Sequence, residues 1–253
     1  MALSTHQPMV PLSPVLVLVL ASSSLHGALI EFSDSGFADA DWSMQTITGG
    51  GGGNVVAAQV ANGNPGPSRE VTHTVLEPGP AQTVASHMLS QATHDPGADG
   101  AILSIDFSVH CQNGFSTNPD APRQYFGMGV LQDGSIYVVP WVNSGSSPGW
   151  QVHESEGLTD EDFVMLSPPS PSDITIDWSS HPDFTAYGSE LVIGFVTWRA
   201  DDSPGGVTDV ETVQYDNFYV GLTVVPEPVS FALLALGGLP VLLRRPSAGP
   251  GRA

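Results

Sequence analysis

The chain has 253 residues, with 26 Asp and Glu against six Arg, no Lys and a single Cys. Its formal net charge is −20, and residues 29–226 hold 25 of the acids and three of the Arg, a net of −22. Such a field repels phosphate and excludes nucleic-acid binding, one Cys excludes an intramolecular disulfide, and about 195 residues between two atypical ends suffice for one sizeable core.

Residues 1–28 read as a secretory signal peptide. Residues 15–20 are VLVLVL, followed by Ala21 and a small-residue zone of Ser22, Ser23, Ser24, Gly27 and Ala28. The apolar run is too short to cross a bilayer and has the length of a signal h-region, with cleavage expected near Ala28. His26 at the third position before that bond, and a start without Lys or Arg, depart from the usual pattern.

From residue 29 onward, short β-type runs alternate with turn residues. The runs are 54–60, 69–76, 82–88, 101–111, 124–131, 135–141, 173–178, 190–198 and 213–225. Within the fourth, Ile102, Ser104, Asp106 and Ser108 take one face, and Leu103, Ile105, Phe107 and Val109 the other. Asp133-Gly134 between two runs predicts a hairpin turn. Residues 49–53, 62–67, 168–171 and 203–206 are loops by composition, and 158–166 has room for one short helical turn. Without sustained helical period, residues 29–222 are expected to form one all-β sandwich. The stretches AILSIDFSVH (101–110), FGMGVLQDGSIYVVPW (126–141) and VQYDNFYVGL (213–222) resemble the jelly-roll sandwiches of the concanavalin, laminin-G and carbohydrate-binding-module type. That resemblance implies a jelly-roll fold and, by analogy, sugar binding.

Catalytic signatures are missing from the sequence: no H-E-x-x-H, no P-loop and no Cys/His metal cluster. The acidic group Glu154, Glu156, Asp160, Glu161 and Asp162 reads as a solvated loop, with nothing to hold two carboxyl groups across a cleft. Residues 145–149 fit G-x-S-x-G, but Pro148 and the following Trp150 suggest a hairpin loop rather than a strained elbow. Cys111, within an apolar run, reads as an inert buried side chain, and the eight scattered His as solvated or singly bonded. Asp34, Asp39 and Asp41 near the first strand, with Asp216 on the last, form a candidate calcium site. Solvated Asp turns explain the same residues. Asp95 and Asp99 are a looser pair. Trp141, Trp150, Trp178 and Trp198 suit either sugar stacking or core packing.

Residues 223–253 form a different kind of segment. Pro226-Glu227-Pro228 ends any regular strand. Residues 229–243 are 15 uncharged, mostly apolar residues, about 22 Å as a helix, followed by Arg244 and Arg245 as a cationic stop. The ordered tripeptide, apolar helix and basic pair resemble the PEP-CTERM sorting signal of exported bacterial proteins. The resemblance covers about the last 30 residues and implies an exosortase-type processing enzyme as partner. It also implies transient anchoring in the inner membrane and association with exopolysaccharide-producing, biofilm-forming bacteria. Pro240 inside the helix departs from that pattern and should kink it. A permanent membrane anchor is the rival reading. The expected protein is therefore a non-catalytic surface or matrix protein, with polysaccharide or a neighbouring cell-surface protein as its candidate partner, and a divergent jelly-roll glycoside hydrolase as the alternative.

Overall fold

The structure, a computed structural model, describes residues 27–50, 52–76, 81–117, 124–140, 142–144, 149–170, 173–201 and 208–225. The signal segment and the tail with its apolar stretch lie outside the described residues, among which no helix is long and apolar enough to cross a membrane.

In chain order the described strands are β1 (Ala28–Asp34), β2 (Trp42–Gly50), β3 (Gly53–Gly63), β4 (Gly66–Val75), β5 (Ala81–His94), β6 (Ile102–Ser116) and β7 (Tyr125–Gln132). They continue with β8 (Ser135–Val138), β9 (Val142–Asn143), β10 (Gln151–Leu158), β11 (Val164–Ser170), β12 (Asp173–Asp177), β13 (Leu191–Asp201) and β14 (Asp209–Val224). A four-residue helix, α1 (Pro96–Asp99), and 3-10 turns at Asp39–Asp41 and Asp160–Asp162 are the helical pieces among them.

Two antiparallel sheets result. Sheet A runs β10-β6-β14-β4-β3, with β1 also on β14, and sheet B runs β12-β11-β8-β7-β13-β5-β2, with β9 on β7. The cores of the two sheets are thus β4-β14-β6-β10 and β5-β13-β7-β8. The late strands β13 and β14 insert between β5 and β7 and between β4 and β6. The steps β4 to β5, β5 to β6, β6 to β7 and β13 to β14 each cross from one sheet to the other, which is the wrapping of a jelly roll. At Asp216–Tyr219 the pairing of β14 with β6 slips and Asn217 takes φ 51°. There the other neighbour of β14 changes, from β4 along Asp209–Tyr215 to β1 along Phe218–Val224. One bulge therefore lets a single long strand serve two partners.

Most predicted runs are strands, and the Asp133-Gly134 turn joins β7 to β8 with both residues at positive φ, 51° and 77°. Three readings need correction. Leu103 does not share a face with Ile105: the register slips beside Thr223, so Ile102 is buried and Leu103 is 51 % exposed. The 49–53 and 168–171 loops are largely strand, because Gly49 and Gly50 close β2, Gly53 opens β3, and β11 runs to Ser170. Sheet pairing overrides the low β propensity of glycine and proline at these edges. The 158–166 stretch holds its expected helical turn for three residues and then enters β11.

The central strands of sheet B, β5, β13 and β7, are buried on both faces. Between the sheets, Trp42 stacks on Phe37 (5.1 Å) and meets Phe195 and Phe218 edge-on (5.5 and 5.2 Å). Ile105, Phe107, Val109, Phe126 and Leu222 pack in the same core. On the other face of sheet B a second core gathers Val84, Met88, Ile136, Val138, Val164, Leu166 and Val196, flanked by Ile47, Ile174, Ile176 and Trp198. The sheet curls until β11 and β12 touch β2 at its far edge. Gly129 makes room there, since a Cβ would lie 2.7 Å from Val196. Each such side chain contributes about 1.5–3 kcal/mol on burial, so seven of them hold this face shut as core. Sheet A keeps its outer face open.

Candidate functional site

The open face of sheet A is built by alternation. On β6, Ile105, Phe107 and Val109 point into the core and leave Ser104, Asp106 and Ser108 half-buried on the opposite face. On β14 the bulge sets Tyr219 on that side, opposite Ser108. On β10 a second bulge lies between Ser155 and Leu158, with Gly157 at φ 67°, and the Gly157 N–H donates to Asp106 Oδ1 at 2.8 Å. These elements converge on an open cleft of about 340 Å³ lined by Asp106, Ser108, Glu154, Glu156 and Tyr219. The Tyr219 hydroxyl donates to Glu31 Oε1 at 2.9 Å. That bond, with lesser help from desolvation and the charges of Glu31 and Asp106, raises the phenol above its ordinary range, so it stays protonated. The cleft thus offers carboxylate acceptors, a serine hydroxyl and an aromatic ring, a combination that receives hydroxyl donors in water.

A smaller cavity of about 110 Å³ shares Phe107, Glu154 and Ser155 with this cleft. Phe126, Gly127, Met128, Val139, Pro140, Val142 and His153 complete its lining. Burial lowers the His153 pKa, and its Nε2 is buried without a hydrogen-bond partner among the described residues.

A second polar cluster is sealed inside the sandwich. Arg199 on β13 pairs with Asp209 and, at 3.4 Å, with Glu211, all three essentially without solvent contact. His73 bridges Thr83 Oγ1 (2.7 Å) and Thr197 Oγ1 (2.9 Å). Burial, aided by the charge of Arg199, holds His73 down at about 3. His87 bonds Thr197 through Nε2 (3.2 Å) and accepts from Arg69 Nε through Nδ1 (3.3 Å). Burial again lowers its pKa well below the usual value, with the charges of Arg69 and His73 adding to it. Arg69 reaches Asp39 at 3.4 Å and lies 5.8 Å over the Trp42 ring. These groups pair with one another, although Arg199 Nη1 has no hydrogen-bond partner among the described residues, and they line neither cleft.

The predicted calcium residues fall as follows. Asp34 accepts from the N–H groups of Gly36 (2.7 Å) and Phe37 (3.0 Å) and from Trp42 Nε1 (2.7 Å). Asp39 accepts from the Gln59 N–H (2.9 Å) and pairs with Arg69, and Asp41 is exposed at the end of its 3-10 turn. Asp216 accepts from the N–H groups of Asn64 and Asn217. Asp95 and Asp99 close the short helix α1 on themselves. Among the described residues no group of three or more His, Cys, Asp or Glu is arranged to hold a metal ion.

Pro226, Glu227, Pro228, Arg244 and Arg245 lie outside the described residues, as do Trp141 and residues 145–148. Trp198 flanks the second core, 5.4 Å from Tyr125. Trp178 is 64 % exposed just beyond β12. Cys111 is buried, and desolvation lifts its thiol to about 12. The acidic stretch is corrected in part: Glu154 and Glu156 stand on strand β10, while Asp160–Asp162 form a turn whose Asp162 accepts from the Thr159 N–H and hydroxyl. The expectation of solvated or singly bonded His fails at His73 and His87, which are buried with two partners each, and holds at His94, buried with one bond to the Gly100 carbonyl. The signal was present for His73, which is in phase with Val71 and Val75, both core-facing.

No family model matches the chain, and no curated protein matches it. Among solved structures, the chain is similar to a family 11 carbohydrate-binding module of a cellulosomal cellulase of Clostridium thermocellum. The two are 17 % identical over 79 % of this chain and 98 % of that one, with a TM-score of 0.42. It is also similar to an exo-beta-agarase, 10 % identical over 80 % of this chain and 26 % of that one, with a TM-score of 0.36. At these scores the fold rests on the strand order above and not on the likeness.

Proposed function

We propose that this is an exported, non-catalytic surface protein whose sandwich binds a neutral polysaccharide in the cleft on the outer face of sheet A. The observation that carries the reading is the convergence of Asp106, Ser108, Glu154, Glu156 and Tyr219 on one open cleft. Ionised carboxylates make strong hydrogen bonds with hydroxyl donors, and adjacent acceptors suit the paired hydroxyls of a sugar. The net charge of −22 over residues 29–226 repels acidic polysaccharides and favours neutral ones. Binding without hydrolysis is supported by where the buried carboxylates sit: Asp209 and Glu211 face Arg199, and Asp216 caps backbone N–H groups, so none of them lines the cleft.

Delivery to the surface is the second part of the proposal. Residues 1–28 act as the signal, and Pro226, Glu227, Pro228, Arg244 and Arg245 with the apolar run between them act as a PEP-CTERM-type tail. An exosortase-type enzyme cuts this tail after brief anchoring in the inner membrane. Cleavage after Ala28 leaves six of the seven β1 residues paired on β14, so the fold tolerates the loss of the signal.

The test is a pull-down on a panel of insoluble neutral and acidic polysaccharides, run with calcium and with a chelator and followed by an assay for released reducing ends. Retention on a neutral polymer without new reducing ends is expected. Release of sugar would move the protein to the hydrolase reading, and calcium-dependent retention would bring Asp34, Asp39, Asp41 and Asp216 into the site.

A further inference from the structure

We infer that the small cavity behind Glu154 and Ser155 is a pocket for the acetyl substituent of an O-acetylated polysaccharide. This rests on the reading of the neighbouring cleft as a sugar site. The cavity opens where sheet A ends at β10 and the β7–β9 segment of sheet B faces it. Its volume of about 110 Å³ corresponds to roughly three or four water-sized groups at about 30 Å³ each, which is the bulk of an acetyl group.

The lining matches that group in chemistry. Phe126, Met128, Val139 and Val142 supply apolar contact for a methyl. One polar group stands out: His153, whose buried Nε2 lacks a partner among the described residues. A buried polar atom left unbonded is costly, so a ligand that satisfies it gains that difference. An ester carbonyl is an acceptor, and a neutral imidazole protonated on Nε2 donates to it. Because the cavity shares Phe107, Glu154 and Ser155 with the open cleft, a sugar ring in the cleft can direct its substituent inward. Both parts of the ligand are uncharged, in keeping with the acidic surface.

The experiment titrates the full chain, solubilised in detergent, with glucomannan, xylan and β-glucan oligosaccharides, each in O-acetylated and chemically deacetylated form. The acetylated form of the preferred oligosaccharide is expected to bind about ten- to a hundredfold tighter, the discrimination a methyl-sized pocket gives. Val142→Trp, at the exposed rim, should block the cavity and abolish that preference while leaving affinity for the deacetylated form unchanged. His153→Leu should reduce the preference by removing the donor. Equal binding of both forms by the wild type overturns the pocket and leaves the cleft standing. A preference that survives Val142→Trp also overturns it. Binding of no oligosaccharide in either form overturns the cleft reading and the pocket together.

Discussion

Two acidic clusters share sheet A and have opposite fates. At one end Asp209 and Glu211 are buried against Arg199; on the outer face Asp106, Glu154 and Glu156 surround an open cleft. The first cluster is closed, its two carboxylates sharing the one guanidinium of Arg199, next to a chain of His73, Thr197, His87 and Arg69. The second keeps acceptor capacity facing solvent. The contrast separates carboxylates that maintain the fold from carboxylates available to a ligand, and it predicts that substitutions in the two clusters have different readouts.

The largest effect belongs to Arg199. Arg199→Ala leaves Asp209 and Glu211 buried without their cation and should cost about 3–5 kcal/mol, read by urea unfolding of the purified protein. A loss below about 1 kcal/mol would show that water reaches these carboxylates and that the cluster is not sealed.

Acid is the next perturbation. His73 and His87 are held below their unfolded value near 6.5, so the folded state binds fewer protons than the unfolded one. The stability contributed by keeping them neutral is complete above about pH 6.5 and is lost as the pH falls below it. For His73 the loss continues down to about 3. Two such groups give a slope of up to about 2.7 kcal/mol per pH unit. His73→Gln should remove about half of that slope. A flat unfolding free energy between pH 6.5 and 4.5 would contradict the buried, neutral assignment.

The sequence showed the open cluster better than the closed one. Period-two alternation in β6 placed Asp106 and Ser108 away from the core, and only the bulge at Leu103 escaped it, because register slips depend on the partner strand. Glu154 and Glu156 were hidden: the run Gln151–Leu158 is polar and carries Gly157, and it becomes strand through pairing with β6. Asp209, Glu211 and Arg199 were unreadable, since charged residues on a strand suggest solvent until a second sheet covers them. The jelly-roll order was reachable in class from strand and turn spacing, but the insertion of β13 and β14 between earlier strands is a long-range choice without local signal. The curl of sheet B that buries its outer face is equally nonlocal, although the unbroken apolar character of β5 and β13 is its trace.

Smaller effects on stability are expected at the open cluster. Glu154→Gln and Glu156→Gln are exposed changes that should alter stability by less than about 0.5 kcal/mol. The least effect belongs to the tail. Replacing Pro226, Glu227 and Pro228 with Ala should leave the melting temperature unchanged, because β14 ends at Val224. In the native host the same change should leave unprocessed protein in the membrane fraction, and mass spectrometry showing normal loss of Arg244 and Arg245 would sink the sorting proposal.

The central claim is that the outer cleft of sheet A binds neutral polysaccharide, and affinity electrophoresis through gels containing that polymer tests it most directly. The wild type should be retarded, and the double variant Glu154→Gln, Glu156→Gln should migrate about as in a polymer-free gel while unfolding at the wild-type temperature. Equal retardation of the two proteins, or a wild type that no neutral polymer slows, would contradict the account.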